Sequence, residues 1–351
     1  MEPVFKTRLL RTDSPHHFNA AVQEAVSLLR QGQVVALPTE TVYGLAANAL
    51  EPEAVRKVYV IKGRPANNPL IVHVVSLDMA RSCVTHWPET AEALARAFWP
   101  GPLTLVLPRA SHIPLEVTGG GSSVAIRWPA HPFIQAVIRE CGFPLAAPSA
   151  NLANRLSPTT AEHVLAQLGG RIPLVVDGGP CPVGIESTVL DLVHKPPRIL
   201  RPGMIHSEAL APLLPSLAVT GDPSTGLQPP ASPGLFPKHY APGATVKVLA
   251  WEDTTDLCQQ LHRIGIEPRA VHVLAHTCIP RTDSFADVWV LPRDPAAYAR
   301  ALYATWYRCD QVGAQWIVME AVPAGPAWAG IADRLRRAQG LGPAASRGTF
   351  P

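Results

Sequence analysis

The stretch from Val34 to Val75, VVALPTETVYGLAANALEPEAVRKVYVIKGRPANNPLIVHVV, narrows what this chain can fold into more than any other part of it. Val34 to Leu37 form an apolar run that reads as a buried strand, and Pro38 stops it. Thr39, Glu40 and Thr41 follow as a cluster of small polar donors and acceptors. A helix comes next, with Pro52 in its first turn and Ala54, Val55, Val58 and Tyr59 on one face. Gly63 suits the position just past its end. A second apolar run, Leu70 to Val75, returns to the sheet with His73 inside it. Strand, helix and strand in this order predict an α/β fold. They also deliver Lys62 and Arg64, with Asn67 and Asn68 close behind, onto a loop facing the Thr/Glu/Thr cluster. That juxtaposition reads as a polyanion site, although a solvated Lys-Gly-Arg turn satisfies the same spacing.

The rest of the first 210 residues repeats the alternation. Ser14-Pro15 caps a scaffold helix with Phe18, Val22, Ala25, Val26 and Leu29 on one face, closed by Gly32. Glu89 to Phe98 reads as a helix and Leu103 to Leu107 as a buried strand. Gly119 to Ser123 reads as a flexible loop whose backbone N–H groups can approach an anion, leading into the strand Val124 to Arg127. A buried guanidinium at a strand end needs an anionic partner. For Arg127 that partner is either a carboxylate of the chain itself or one on a ligand. A helix after His131-Pro132 carries Phe133, Val137 and Ile138 inward. Leu145 to Ala147 is a short strand running out into Pro148-Ser149-Ala150-Asn151, polar groups at the strand end where open α/β sheets bind ligands. Thr159-Thr160-Ala161-Glu162 reads as a capping box, which makes Thr159 either an N-cap or a ligand contact. Strands follow at Leu174 to Asp177, Ser187 to Leu192 and Arg198 to Leu200, with Arg201 projecting at the end of the last.

At 351 residues the chain exceeds one typical domain, and its 47% hydrophobic content supports two cores. The boundaries read as 1–210, a Pro-rich linker over 211–243, and 244–351. The last region alternates strands (near 246–250, 270–275, 288–291 and 317–320) with helices (near 254–264, 295–310 and 327–338). It is a small Rossmann-like α/β domain lacking Gly-x-Gly-x-x-Gly, which argues against dinucleotide binding. The linker ends in Phe236, Lys238, His239 and Tyr240, groups that a spacer does not need. They read as a flap over a site, or as a dock between domains. No apolar run approaches 18 residues and Met1-Glu2-Pro3 begins no signal peptide, so a cytoplasmic protein with no membrane role is expected. The six cysteines lack metal-ligand spacing and read as reduced thiols, with no metal ligands among the side chains. A net charge of +3 admits polyanionic ligands but is too small to argue for a nucleic-acid surface.

The motifs PTETVYGL, KGRP and NPLIVHV, followed by WPGPLTLVL (Trp99 to Leu107), VAIRWPAHP (Val124 to Pro132), APSAN (Ala147 to Asn151), ESTVLDL (Glu186 to Leu192), RPG (Arg201 to Gly203) and HYAP (His239 to Pro242), resemble the threonylcarbamoyl-AMP synthases. The likeness is to their two-domain form, and it spans nearly the whole chain. It implies a YrdC-like twisted α/β sheet domain with a concave ligand face, joined to the smaller Rossmann-like domain. The implied reaction condenses L-threonine, bicarbonate (or carbon dioxide) and ATP into threonylcarbamoyl-AMP and pyrophosphate, with Mg²⁺ accompanying ATP. The product would pass to a tRNA threonylcarbamoyl transferase that modifies the adenosine next to the anticodon, with a possible weak RNA contact. The resemblance assigns ATP to Lys62, Arg64, Asn68, Ser123, Asn151, Thr159, Arg201, His239 and Tyr240, with Lys62 and Arg64 nearest the chemistry. It assigns threonine to Thr41, His73, Arg127, Ser149 and Ser187, with Arg127 on the carboxylate. One departure falls in the second domain, where Asp333 stands in place of the family's usual asparagine.

These residue types suit the implied reaction. An anionic threonine carbamate must approach an anionic α-phosphate, so cations must hold the triphosphate and the leaving pyrophosphate. No Ser-His-Asp or Cys-His pattern offers a covalent nucleophile. Two rivals share some features: a carbamoyltransferase with the same core, which would need further domains and a zinc region, and an RNA-binding module, which would need more charge and interleaved aromatics.

Overall fold

A computed structural model describes residues 6–218 and 241–340. By their contacts these fall into two units, 6–153 with 157–218, and 154–156 with 241–340.

The first unit is built on ten strands: β1 (Arg8–Arg11), β2 (Val35–Leu37), β3 (Gly44–Asn48), β4 (Ile71–His73), β5 (Leu103–Pro108), β6 (Ser123–Arg127), β7 (Leu145–Ala146), β8 (Leu174–Asp177), β9 (Thr188–Asp191) and β10 (Arg198–Arg201). They form one mixed sheet in the order β1-β8-β2-β3-β7-β4-β6-β5-β9-β10. β3 went unread in the sequence, because Gly44 to Asn48 is short and rich in alanine. It pairs antiparallel with β2 and with β7.

The apolar runs are continuous because both faces of the sheet are covered. Ala36, Leu45, Ala47, Val72 and Ile126 point into one core. Val35, Leu37, Ala46, Leu145 and Val176 point into another, under the helices Pro15–Arg30 and Pro132–Cys141. Phe18 and Phe133 meet edge to face between those helices, at 5.2 Å. Across β4, β5, β6, β9 and β10, a third and smaller cluster, Ile71, Val106, Ala125, Val189 and Leu200, consists of strand residues alone. Ile71 and Ala125 lie two residues before His73 and Arg127, so all four share a face.

The helix Pro52–Lys62 ends as expected at Gly63, whose φ of 59° is left-handed. The glycine run is not a loose loop. Gly119 stands at φ +60°, with a Cβ position only 2.7 Å from the Asn67 carbonyl oxygen. Its neighbours are tied down by Gly120 N–H to the Leu115 carbonyl and Gly121 N–H to that of Thr118. Residues 211–218, read from composition as the start of the linker, pack within this unit. Leu214 is buried in the main core, and Ala218 bridges to Arg198.

The second unit is a four-stranded parallel sheet of β11 (Thr245–Leu249), β12 (Val271–Ala275), β13 (Asp287–Val290) and β14 (Trp316–Glu320), in the order β11-β14-β12-β13. The helices Thr254–Arg263, Pro295–Gln311 and Ala329–Ala338 accompany it, giving the Rossmann-like alternation. Asp333 is buried between Arg334 and Arg337. Burial pushes its carboxyl upward, but those arginine charges outweigh it and hold the group below its ordinary value.

Candidate active site

The polar residues picked out in the first unit gather into buried clusters at the ends of strands and helices. Lys62 is the last residue of its helix and is buried, rather than standing on a loop. Its Nζ donates to the carbonyls of Ser149 and Asn151, both at 2.6 Å, and to Asn151 Oδ1 at 3.1 Å. Ser149 Oγ donates to the same amide oxygen at 2.5 Å. The helix end and the strand-end turn after β7 are therefore clamped by one ammonium. Burial first, and then the charge of Arg64, push the Lys62 amine well below its ordinary value.

Arg64 is buried too. Its guanidinium wraps the loop it opens, donating to the Asn68 carbonyl (3.1 Å), Asn68 Oδ1 (2.5 Å) and the Pro69 carbonyl (2.9 Å). Across the sheet, Arg201 holds the Ser187 carbonyl and hydroxyl, at 3.0 Å and 3.1 Å from Nη2. Ser187 Oγ also lies 2.8 Å from Thr104 Oγ1. Ser187 and Arg201, assigned to different substrates, thus stand against one another. Ser123 opens β6 at an intermediate depth.

The third cluster centres on Arg127, which is buried at the end of β6. Nε donates to the Gly101 carbonyl at 3.2 Å and Nη1 to Thr41 Oγ1 at 2.9 Å. Nη2 lies 2.5 Å from Glu40 Oε1, so the anionic partner required by Arg127 is supplied by the chain itself. Glu40 was not singled out as a site residue. The signal was present, because a buried guanidinium demands an acid and Glu40 is the acid of the Thr/Glu/Thr cluster. His73, the register partner of Arg127, is buried as well. Burial and the Arg127 charge push its imidazole down to about 3.

Thr159 is not the N-cap of its helix. Thr160 takes that position, accepting from His163 N–H, so Glu162 falls one residue short of the capping-box position. Thr159 Oγ1 instead sits 3.3 Å from His163 Nδ1. His239 and Tyr240, with Phe236 and Lys238, lie outside the described residues. Among the described residues no group of three His, Cys, Asp or Glu is placed to hold a metal ion, no helix is long and apolar enough to cross a membrane, and the six cysteines are free.

A broad mixed sheet with buried cations, amides and hydroxyls at its strand ends, together with a separate small parallel α/β unit, defines a two-unit α/β protein. Two family profiles match it: one described as "Telomere recombination" over residues 27–203, the other as the threonylcarbamoyl-AMP synthase C-terminal domain over 205–340. The threonylcarbamoyl-AMP synthase of Bacillus subtilis (strain 168) is 39% identical over 340 residues, 94% of this chain and 96% of that protein. That of Pyrococcus abyssi is 37% identical over 328 residues, 91% and 94% of the two. In structure, P. abyssi Sua5 complexed with L-threonine superposes with a TM-score of 0.85 at 35% identity, covering 95% of this chain and 97% of the other. The chain belongs to the threonylcarbamoyl-AMP synthase family, in its two-domain form.

Proposed function

We propose that this chain condenses L-threonine, bicarbonate or carbon dioxide, and ATP into threonylcarbamoyl-AMP, for threonylcarbamoylation of the tRNA adenosine beside the anticodon. The observation that carries this reading is its likeness, over 95% of its length, to a Sua5 structure complexed with L-threonine. The first unit supplies groups of the right kind. Arg127 would take the threonine carboxylate, while Thr41, His73, Ser149 and Ser187 frame the rest of the amino acid. Arg64, Asn68, Ser123, Asn151, Thr159 and Arg201 would hold ATP, with Lys62 on the phosphate side and His239 and Tyr240 joining from the linker.

A carbamate oxygen would attack the α-phosphorus as the bond to the pyrophosphate oxygen breaks. Lys62 and Arg64 donate to carbonyl and amide groups of the chain itself, so they would act on the departing charge through the field of fixed, buried cations. Mg²⁺ fits as a passenger of the nucleotide. Glu40 faces Arg127 and Glu186 accepts from Ser157, so these carboxylates do not make a protein-only cage. When bound, the ion would neutralise phosphate charge. The product would pass to a tRNA-modifying transferase in the cytoplasm.

Pyrophosphate release from ATP, measured with and without threonine and bicarbonate, tests the reading. Release that requires both supports it, and undiminished release without threonine overturns it.

A further inference from the structure

Glu40 pairs with Arg127 but carries none of the substrate roles set out above, and that one contact leaves its carboxylate incompletely matched. Its side chain is 7% exposed, and one oxygen lies 2.5 Å from Arg127 Nη2. Neither carboxylate oxygen receives a hydrogen bond, and Nη2 makes none, so the contact is an ion pair without hydrogen-bond geometry. A buried carboxylate with its acceptor positions unfilled is expensive. Other buried acids of the unit are better served: Asp191 accepts from Val193 N–H and Arg198, and Glu186 from Ser157. Nor is the Glu40 main chain free to move away. Val183 N–H holds its carbonyl at 2.8 Å, and Gly184 N–H holds that of Thr41 at 3.2 Å.

Resting on the threonine-dependent reading of this site, we infer that Glu40 and Arg127 form a two-ended receptor for the zwitterionic backbone of the amino acid. On binding, the pair opens: Arg127 turns to the α-carboxylate and Glu40 accepts from the α-ammonium. One buried ion pair becomes two, with no change in net charge, and the empty acceptor positions of Glu40 are filled. A ligand bringing a carboxylate but no ammonium would take Arg127 and leave Glu40 a stranded anion, so this end of the site selects a free α-amino acid. Carboxylation by carbon dioxide forms the N–C bond as two protons leave the ammonium, so the nitrogen is no longer cationic and Glu40 ceases to hold it. Bulk on the nitrogen is therefore not what the receptor rejects.

Calorimetric titration of the full chain with L-threonine, N-acetyl-L-threonine and L-threoninamide, for wild type and Glu40→Gln, tests this. Wild type should bind L-threonine roughly tenfold or more tightly than either blocked analogue. Glu40→Gln should weaken L-threonine by a similar factor and level its preference over the N-acetyl compound. If Glu40 only occupies Arg127 until the substrate arrives, Glu40→Gln will bind threonine more tightly, which overturns the inference. An unchanged affinity overturns it as well. Should the variant not fold, the wild type decides alone, since equal affinity for L-threonine and N-acetyl-L-threonine is fatal to the receptor. A wild type that binds no L-threonine overturns the threonine-dependent reading and the receptor with it.

Discussion

Two buried glutamates, Glu40 in the turn after β2 and Glu320 at the end of β14, are treated in opposite ways. Glu320, the last residue of β14, accepts three successive backbone N–H groups from the turn after β12: His276 at 2.6 Å, Thr277 at 2.8 Å and Cys278 at 3.1 Å. Consecutive N–H groups at the end of a parallel strand are the arrangement that elsewhere cradles a phosphate. Here the chain's own carboxylate fills the cradle. The Glu40 carboxylate, in the first unit, faces one guanidinium and has no hydrogen bond. The second unit thus closes its strand end with a carboxylate that is hydrogen-bonded on both oxygens, while the Glu40 carboxylate of the first unit is matched by charge alone.

The largest effect that could break this comparison is at Glu320. Glu320→Ala leaves three N–H groups of one turn without their acceptor and should cost at least about 3 kcal/mol in denaturant unfolding. Threonine affinity at the first unit should not change. If Glu320→Ala unfolds like wild type, the carboxylate is not what closes the second unit.

Much of the fold was legible because both sheets are built from apolar runs with clear ends. Leu174 to Asp177 and Glu89 to Phe98 were bounded by their own sequence, and Gly63 and Gly142 mark helix ends by adopting left-handed backbone. Strand β3 was missed because alanine and glycine carry little strand signal. The site was legible as a set of residue types, not as a set of partners. Which acid would pair with Arg127 depends on a contact across 87 residues of sequence between Glu40 and β6. That the Lys62 ammonium clamps the turn around Asn151 likewise depends on tertiary placement, which spacing does not encode.

A middle-sized effect concerns the acid side of stability. His73 has a folded value of about 3 against an ordinary 6.5, so between these limits the unfolded chain holds a proton that the folded chain does not. Stability must therefore rise with pH through this window. The contribution is complete above 6.5 and is lost as pH falls toward 3, at about 1.4 kcal/mol per pH unit. At pH 5 that amounts to about 2 kcal/mol. His73→Gln should flatten the slope between pH 4 and 6 in urea unfolding. If both proteins lose stability equally on acidification, the imidazole is not held neutral by burial and Arg127.

The smallest effect separates two adjacent threonines, and it applies the comparison between fully and incompletely matched groups at the scale of one hydroxyl. Thr160 is fully engaged as the N-cap of the helix Ala161–Leu168, where its side chain accepts from His163 N–H. Removing such a cap costs about 1 kcal/mol, since the orphan donors of the first turn lose their acceptor. Thr160→Ala should lower unfolding stability by about that amount and leave the KM for ATP unchanged. Thr159, buried one residue earlier, has its hydroxyl near the His163 ring and caps nothing. Thr159→Ala should do the reverse, raising the KM for ATP while stability stays within about 0.5 kcal/mol of wild type. Both quantities can be read from the same preparations, by steady-state pyrophosphate release and by chemical denaturation. If Thr159→Ala lowers stability and leaves the KM for ATP untouched, Thr159 is a structural residue and its place in the nucleotide site is lost.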